Sequence, residues 1–350
     1  MIPSIPWPDT RDCVTRLWPD LFDFVQEWDK GSAVPPNLPP PAFPRALPPM
    51  KHIRISANRL VASLSLALAS AAPMAAAQNL GAASGYSYFV FGDVSQSNAQ
   101  SKGAAAVGGN ATFSGYGLGE QLPFSSKYSL VVGGNLNYSD SVVHKGSLLV
   151  GGSAKLTNVA ISGGTASQGS LIDFDAAKIQ YGGLSDKLAE MGANSTYSLS
   201  YGNLVFTGTD GALNTFTIKA ADFQAASSMS INAPTGSTVV INVAGDLINF
   251  QNMGLTVKGT DKSMVLYNFY EATSLNLAGL TVLGSVLAPD AHVKFSNGTI
   301  QGTLISDSMS GGGTFEYSAF KGALPMAVPE PSGFALIGAA GALALLRRRR

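Results

Sequence analysis

Short runs of branched apolar residues in this chain are cut repeatedly by paired glycines. They read Ala106-Val107-Gly108-Gly109-Asn110, Leu130-Val131-Val132-Gly133-Gly134-Asn135 and Leu148-Leu149-Val150-Gly151-Gly152, with Val243-Ala244-Gly245-Asp246 later. The first three glycine pairs lie 25 and 18 residues apart. Strands this short cannot bury a face alone, and stacking each on the next coil supplies the missing core. Glycine at the corners serves a positive φ or a close backbone approach. The expected fold is therefore all-β, a right-handed parallel β-helix or solenoid with glycine-rich turns. A β-sandwich of short strands, which also needs glycine corners, is the alternative.

Further along, Leu275 to Pro289 continues as strand and turn, and Val293 to Ile305 alternates apolar with polar residues in a final coil or two. One segment departs from this texture. Between Phe174 and Met191, the residues Phe174, Ala177, Ile179, Leu184, Leu188 and Met191 recur at helical spacing, with Gly182-Gly183 as an expected interruption and Ser185 opening the second half. Such a helix would flank the solenoid or cap an open end, protecting strand edges.

The chemistry of the body is sparse. From Gln78 to Ala327 there are 11 Lys, no Arg and 15 Asp plus Glu, so neither a phosphate-neutralising patch nor a bidentate fork exists, and nucleic acid is excluded as a partner. The single cysteine, Cys13, lies outside this region, which therefore has no disulfide or thiolate site. His144 and His292 stand far apart without metal-ligand spacing. Asp173-Phe174-Asp175 reads as a solvated helix start, and Ser310-Gly311-Gly312-Gly313 lacks the lysine of a phosphate loop and the form of a nucleophile elbow. Asp93, Asp246 and Asp290 suit corner hydrogen bonds or calcium and are left unassigned. No catalytic residue, cofactor or metal site is expected.

Both ends of the chain read as addresses. Residues 1–49 are proline-rich, hold Trp7, Trp18 and Trp28, and are read as a mis-assigned gene start. Met50 opens a basic stretch reaching Arg59, followed by apolar Leu60 to Ala72, so residues 50–77 form a signal peptide. Its cleavage region is Ala75, Ala77 and Gln78, which makes signal peptidase a partner. The β domain then spans 78–325. Residues 326–350 hold Pro329-Glu330-Pro331, 15 uncharged residues from Ser332 to Leu346, and Arg347, Arg348, Arg349 and Arg350. This tail reads as a sorting signal with a short transmembrane segment, oriented by its arginines.

That tail resembles the PEP-CTERM sorting signal on Val328, Pro329, Glu330, Pro331 and the four arginines. The resemblance implies recognition and processing by an exosortase, transient insertion in the inner membrane as an anchored precursor, and export to the cell surface or beyond. The body resembles the choice-of-anchor A family on Tyr88 to Asp93, the Ala106 to Asn110 and Val131 to Asn135 repeats, and Ile300 to Ile305. This implies a surface or matrix role. The expected function is a non-enzymatic structural or adhesive protein associated with exopolysaccharide, another surface polymer or biofilm. Its polar strand residues, among them Thr112, Tyr116, Asn137, Tyr138 and Asn158, would form the contact surface. The alternative is a polysaccharide hydrolase or lyase on a β-helix, which would need two carboxylates across a groove.

Overall fold

The computed structural model describes residues 80–324. The first half contributes β1 (Tyr88–Val90), β2 (Val94–Ser101), β3 (Ala105–Val107), β4 (Ala111–Leu118), β5 (Tyr128–Val132), β6 (Leu136–Val143), β7 (Ser147–Val150), β8 (Ala154–Ile161) and β9 (Ala166–Gln168). Helix α1 (Phe174–Glu190) follows, then β10 (Thr196–Ser200), β11 (Asn203–Thr207), β12 (Leu213–Lys219) and the short helix α2 (Ala220–Gln224). The remaining coils are β13 (Ser228–Asn232), β14 (Thr238–Ala244), β15 (Leu247–Gln251), β16 (Gly254–Lys258), β17 (Val265–Asn268), β18 (Ser274–Ala278), β19 (Thr281–Leu283), β20 (Ser285–Gln301) and β21 (Leu304–Glu316).

These strands stack in parallel as a β-solenoid. Ladder one runs β12, β14, β17, the start of β20, the start of β21, β1, β3, β5, β7 and β9. Ladder two runs β15, β18, the middle of β20 and β21, then the first halves of β2, β4, β6 and β8. Ladder three holds the strand ends beyond the next corner, together with β11, β13, β16 and β19. Among the described strand pairs only β10 with β11 is antiparallel, which removes the sandwich alternative. The chain therefore enters mid-stack at β1, winds out to β9, returns through α1, and winds back until β21 lies against β1 and β2.

The paired glycines explain how coils of unequal length stay in register. The Gly133 N–H donates to Val107 O at 2.7 Å and the Gly151 N–H to Val132 O at 2.7 Å. A Cβ on Gly133 would collide with the Gly108 carbonyl oxygen, and one on Gly151 with that of Gly133. Close approach, rather than positive φ, is thus the reason for glycine at this corner. Positive φ is used at the corner between ladders two and three, where Asn98 (φ 51), Gly115 (φ 59), Asp140 (φ 53) and Asn158 (φ 54) follow one another up the stack. Asn and Asp tolerate this region better than other side chains do.

Helix α1 runs along the outside of ladder one, as a flanking helix should, but without the expected break. Asp173 caps it, its Oδ1 accepting from Ala176 N at 3.0 Å. Ala177, Tyr181, Leu184 and Leu188 are buried in one cluster with Phe89, Val240, Leu266, Leu287 and Ile305. Gly182 and Gly183 each cost a helix about 1 kcal/mol, whereas one buried leucine contributes about 2 kcal/mol, so docking carries the helix through the glycines. Ser185 does not open a second helix; it is buried and bonded to Asn268.

Tyr181 also makes the fold sensitive to alkali. Its hydroxyl donates to Leu80 O at 2.6 Å and accepts from Ala83 N at 2.8 Å. Burial pushes it up to about 12, and the Ala83 N–H partly offsets that rise. A folded-state value above the usual 10 means that this contribution is complete below pH 10 and is lost as pH rises through 12. Burial pushes Tyr88, Tyr116, Tyr138 and Tyr267 in the same direction. The melting temperature is expected to hold to about pH 10 and to fall between 10 and 12, less steeply in Tyr181→Phe. A parent midpoint independent of pH over that window would contradict the burial of these hydroxyls.

Among the described residues no helix is long and apolar enough to cross a membrane. The longest, α1, has 17 residues and carries Asp175, Lys178, Asp186, Lys187 and Glu190. The expected inner-membrane insertion, anchored precursor and transmembrane segment are accordingly corrected. They rested on Ser332 to Leu346, which lie outside the described residues.

Candidate functional face

Ladder two presents a face whose outward positions carry mainly small polar residues. Its central column reads Asn249, Asn276, Lys294, Ser310, Ser95, Thr112, Asn137 and Lys155, one residue from each of eight consecutive strands. Beside it run Ser97, Ser114, Ser139 and Thr157, also in register. Inward positions between them, including Val94, Phe113, Leu136, Val293 and Phe295, are buried in the main core. Strand geometry spaces neighbours in a column by about 4.8 Å and columns by roughly 7 Å, so the eight strands present a grid about 34 Å long.

The edges of this face are fixed by side chains that bond from coil to coil. Asp93 Oδ1 accepts from Asn110 N at 2.7 Å and Nδ2 at 3.2 Å; Asn110 Oδ1 accepts from Asn135 N at 3.0 Å; Asn135 Oδ1 accepts from Ser153 N at 2.9 Å. Within the central column, Asn276 Nδ2 donates to Asn249 Oδ1 at 3.3 Å, and Asn249 N and Nδ2 donate to Gln224 Oε1 at 3.2 Å. Asp246 accepts from the Thr273 N–H and hydroxyl. Asp93 and Asp246 are thus corner ladders. Among the described residues no three His, Cys, Asp or Glu side chains converge as a metal site.

The face keeps some of the sequence-predicted contact residues and rejects others. Thr112 and Asn137 are exposed cross-strand partners in the central column. Tyr116 and Tyr138 are completely buried, and Tyr138 donates to Tyr116 O at 2.5 Å. Tyr138 follows from alternation after Asn137, whereas Tyr116 is turned inward because left-handed Gly115 resets the strand's phase. Asn158 occupies a corner and bonds to Asp140 at 3.0 Å. His144 is exposed, while His292 Nδ1 and Nε2 lie 2.9 Å from the hydroxyls of Ser308 and Ser310 on the next strand. Sequence reading missed a column of Thr281, Thr299 and Thr314 on ladder three, because its members come from β19, β20 and β21 and form no local motif.

Shallow hollows interrupt the surface of the described residues, two of them beside these ladders. One of about 870 Å³ lies where β16 and β19 are unpaired, lined by Asn252, Leu255, Thr281 and Asn297. The other, about 650 Å³, sits on ladder two at the junction of β20, β21 and β2, and includes Asp93, His292 and Asp307. Asp307 is engaged by Lys178 Nζ at 2.6 Å.

A family model described as "Putative Ice-binding-like adhesive domain" matches residues 79–317. A solved ice-binding protein from the Antarctic ascomycete Antarctomyces psychrotrophicus is 15% identical, with 69% of this chain and 99% of that chain covered and a TM-score of 0.30. A glycosylated ice-binding protein from an Arctic yeast is 12% identical, with 73% and 97% covered and a TM-score of 0.33. No curated protein matches the chain.

The family match corrects the choice-of-anchor A and PEP-CTERM assignment: the body residues quoted for that resemblance, Tyr88 to Asp93 and Ile300 to Ile305, fall inside the adhesive-domain match. With it go the exosortase partnership and the processed, membrane-anchored route to the surface. The residues assigned to sorting, Val328, Pro329, Glu330, Pro331 and Arg347 to Arg350, and those assigned to cleavage, Ala75, Ala77 and Gln78, lie outside the described residues.

Proposed function

The chain belongs to the ice-binding-like adhesive domain family, a non-enzymatic one, and we propose that ladder two is its adhesive face, docking the ordered hydroxyls of a polysaccharide. The observation that carries this is the central column from Asn249 to Lys155, polar on eight successive strands and backed by a rigid core. Asn and Lys among shorter Ser and Thr give a surface of uneven height, suited to a polymer with protruding hydroxyls. Individual hydrogen bonds to such a polymer contribute only about 1 kcal/mol each, and a rigid grid gains by making many at once.

Binding to a panel of insoluble polysaccharides is the test. Asn137→Tyr, one strand in from the β8 end of the grid, is expected to weaken retention at least about tenfold, since a protruding ring lifts the polymer off the contacts around it. Thr207→Tyr, at an exposed position of β11 outside the face, should change nothing. Retention that Asn137→Tyr leaves intact would rule the face out.

A second reading, contact with ice, is favoured by the Thr281, Thr299 and Thr314 column and by the name of the family. Partition of the protein into growing ice, abolished by Thr299→Tyr and indifferent to Asn137→Tyr, would select it.

A further inference from the structure

The hollow of about 650 Å³ on ladder two lies where the last strand of the winding meets the first. Its floor is low because β21 contributes Ser308 and Ser310 there, between His292 on β20 and Ser95 on β2. The imidazole of His292 lies along that floor, each nitrogen 2.9 Å from a serine hydroxyl, and forms one wall. Asn110 and Thr112 belong to the opposite side. This volume falls in the range that accommodates a small ligand, about 300 to 1,000 Å³.

The polar groups of the hollow accept more than they are given. Asp93 uses Oδ1 for Asn110, and among the described residues its Oδ2 receives no hydrogen bond. Asp307 uses Oδ1 for Lys178, and its Oδ2 is likewise without a donor among them. The hydroxyls of Ser95 and Thr112 can donate or accept. No lysine or arginine lines the hollow. Carboxylate oxygens beside hydroxyls match a vicinal diol, and the Asp93 carboxylate, which unlike Asp307 has no cation partner among the described residues, repels an anionic ligand.

We propose that this hollow is a subsite for one neutral pyranose unit, its adjacent hydroxyls held by Asp93 and by Ser95 and Ser310. The inference rests on ladder two being the contact face. It adds a point at which a polymer is registered on an otherwise repetitive grid, and it assigns a preference for neutral over acidic sugars.

The probes are methyl glucoside and methyl glucuronide, added to the full chain while the imidazole resonances of His292 are followed by NMR. A saturable shift is expected with the glucoside and none with the glucuronide. Asp93→Asn preserves an acceptor for Asn110 but replaces the free oxygen by a donor, and should weaken the glucoside at least about tenfold. Equal response to both probes, or no response while polysaccharide retention persists and still depends on Asn137, would overturn the subsite and leave the face standing. Loss of both the glycoside response and polymer retention would overturn both.

Discussion

A Gly133→Ala protein is expected to be destabilised by about 3 kcal/mol or more, the cost of overpacking where nothing can yield. The new methyl would fall on the Gly108 carbonyl oxygen, which is backbone, fixed by ladder hydrogen bonds above and below. Relief would require separating two coils whose N–H to O contacts are 2.7 Å at this corner, with the loss spreading to β3, β5 and β7. Gly182→Ala is the matched contrast. A Cβ there meets nothing within 4 Å, and removing glycine from a helix interior should stabilise by about 0.5 to 1 kcal/mol. Chemical denaturation of both variants gives the comparison. If Gly133→Ala unfolds with the parent, the glycine corners are not set by close approach.

The same corners were the most legible feature of the sequence. Gly108, Gly133 and Gly151 recur at 25 and 18 residues, and the hydrogen bonds from Asn135 N to Asn110 Oδ1 and from Ser153 N to Asn135 Oδ1 have those same separations. A period that irregular still identifies a solenoid, because only the corner must align while the loops between strands vary. The helix after Asp173 was legible for a local reason too, a capping aspartate ahead of helically spaced apolar residues. What escaped was non-local. No pattern near β1 announces that it stacks on β21, more than 200 residues later, so the centre of the ladder-two grid could not be assembled from neighbouring repeats. The phase reset at Gly115, which sends Tyr116 inward, depends on a backbone angle that glycine permits without declaring. The threonine column on ladder three has the same origin, three strands brought into register by stacking.

Asn268→Leu is expected to cost about 3 kcal/mol and to loosen α1 from the solenoid before the coils themselves open. Asn268 is completely buried under the helix. Its Nδ2 donates to Ser185 O at 2.9 Å and to Asn242 Oδ1 at 2.8 Å, and its Oδ1 accepts from Ser185 Oγ at 2.6 Å. Asn242, paired with it across β14 and β17, donates in turn to Leu188 O at 2.8 Å. Leucine preserves apolar volume but strands the Ser185 hydroxyl and the Asn242 carbonyl oxygen, each costing about 1 to 3 kcal/mol when buried without a partner. Hydrogen exchange should report the change as faster exchange across residues 174–190, with β5 and β7, remote from the helix's asparagine anchor, little altered. Combining Asn268→Leu with Asn242→Ala distinguishes a network from two separate contacts. In a network the second change removes the very acceptor that the first left stranded, so the double variant should lose less than the sum of the single losses. Additive losses would instead mean that the helix is held by its apolar face, with Tyr181, Leu184 and Leu188 sufficient to seat it.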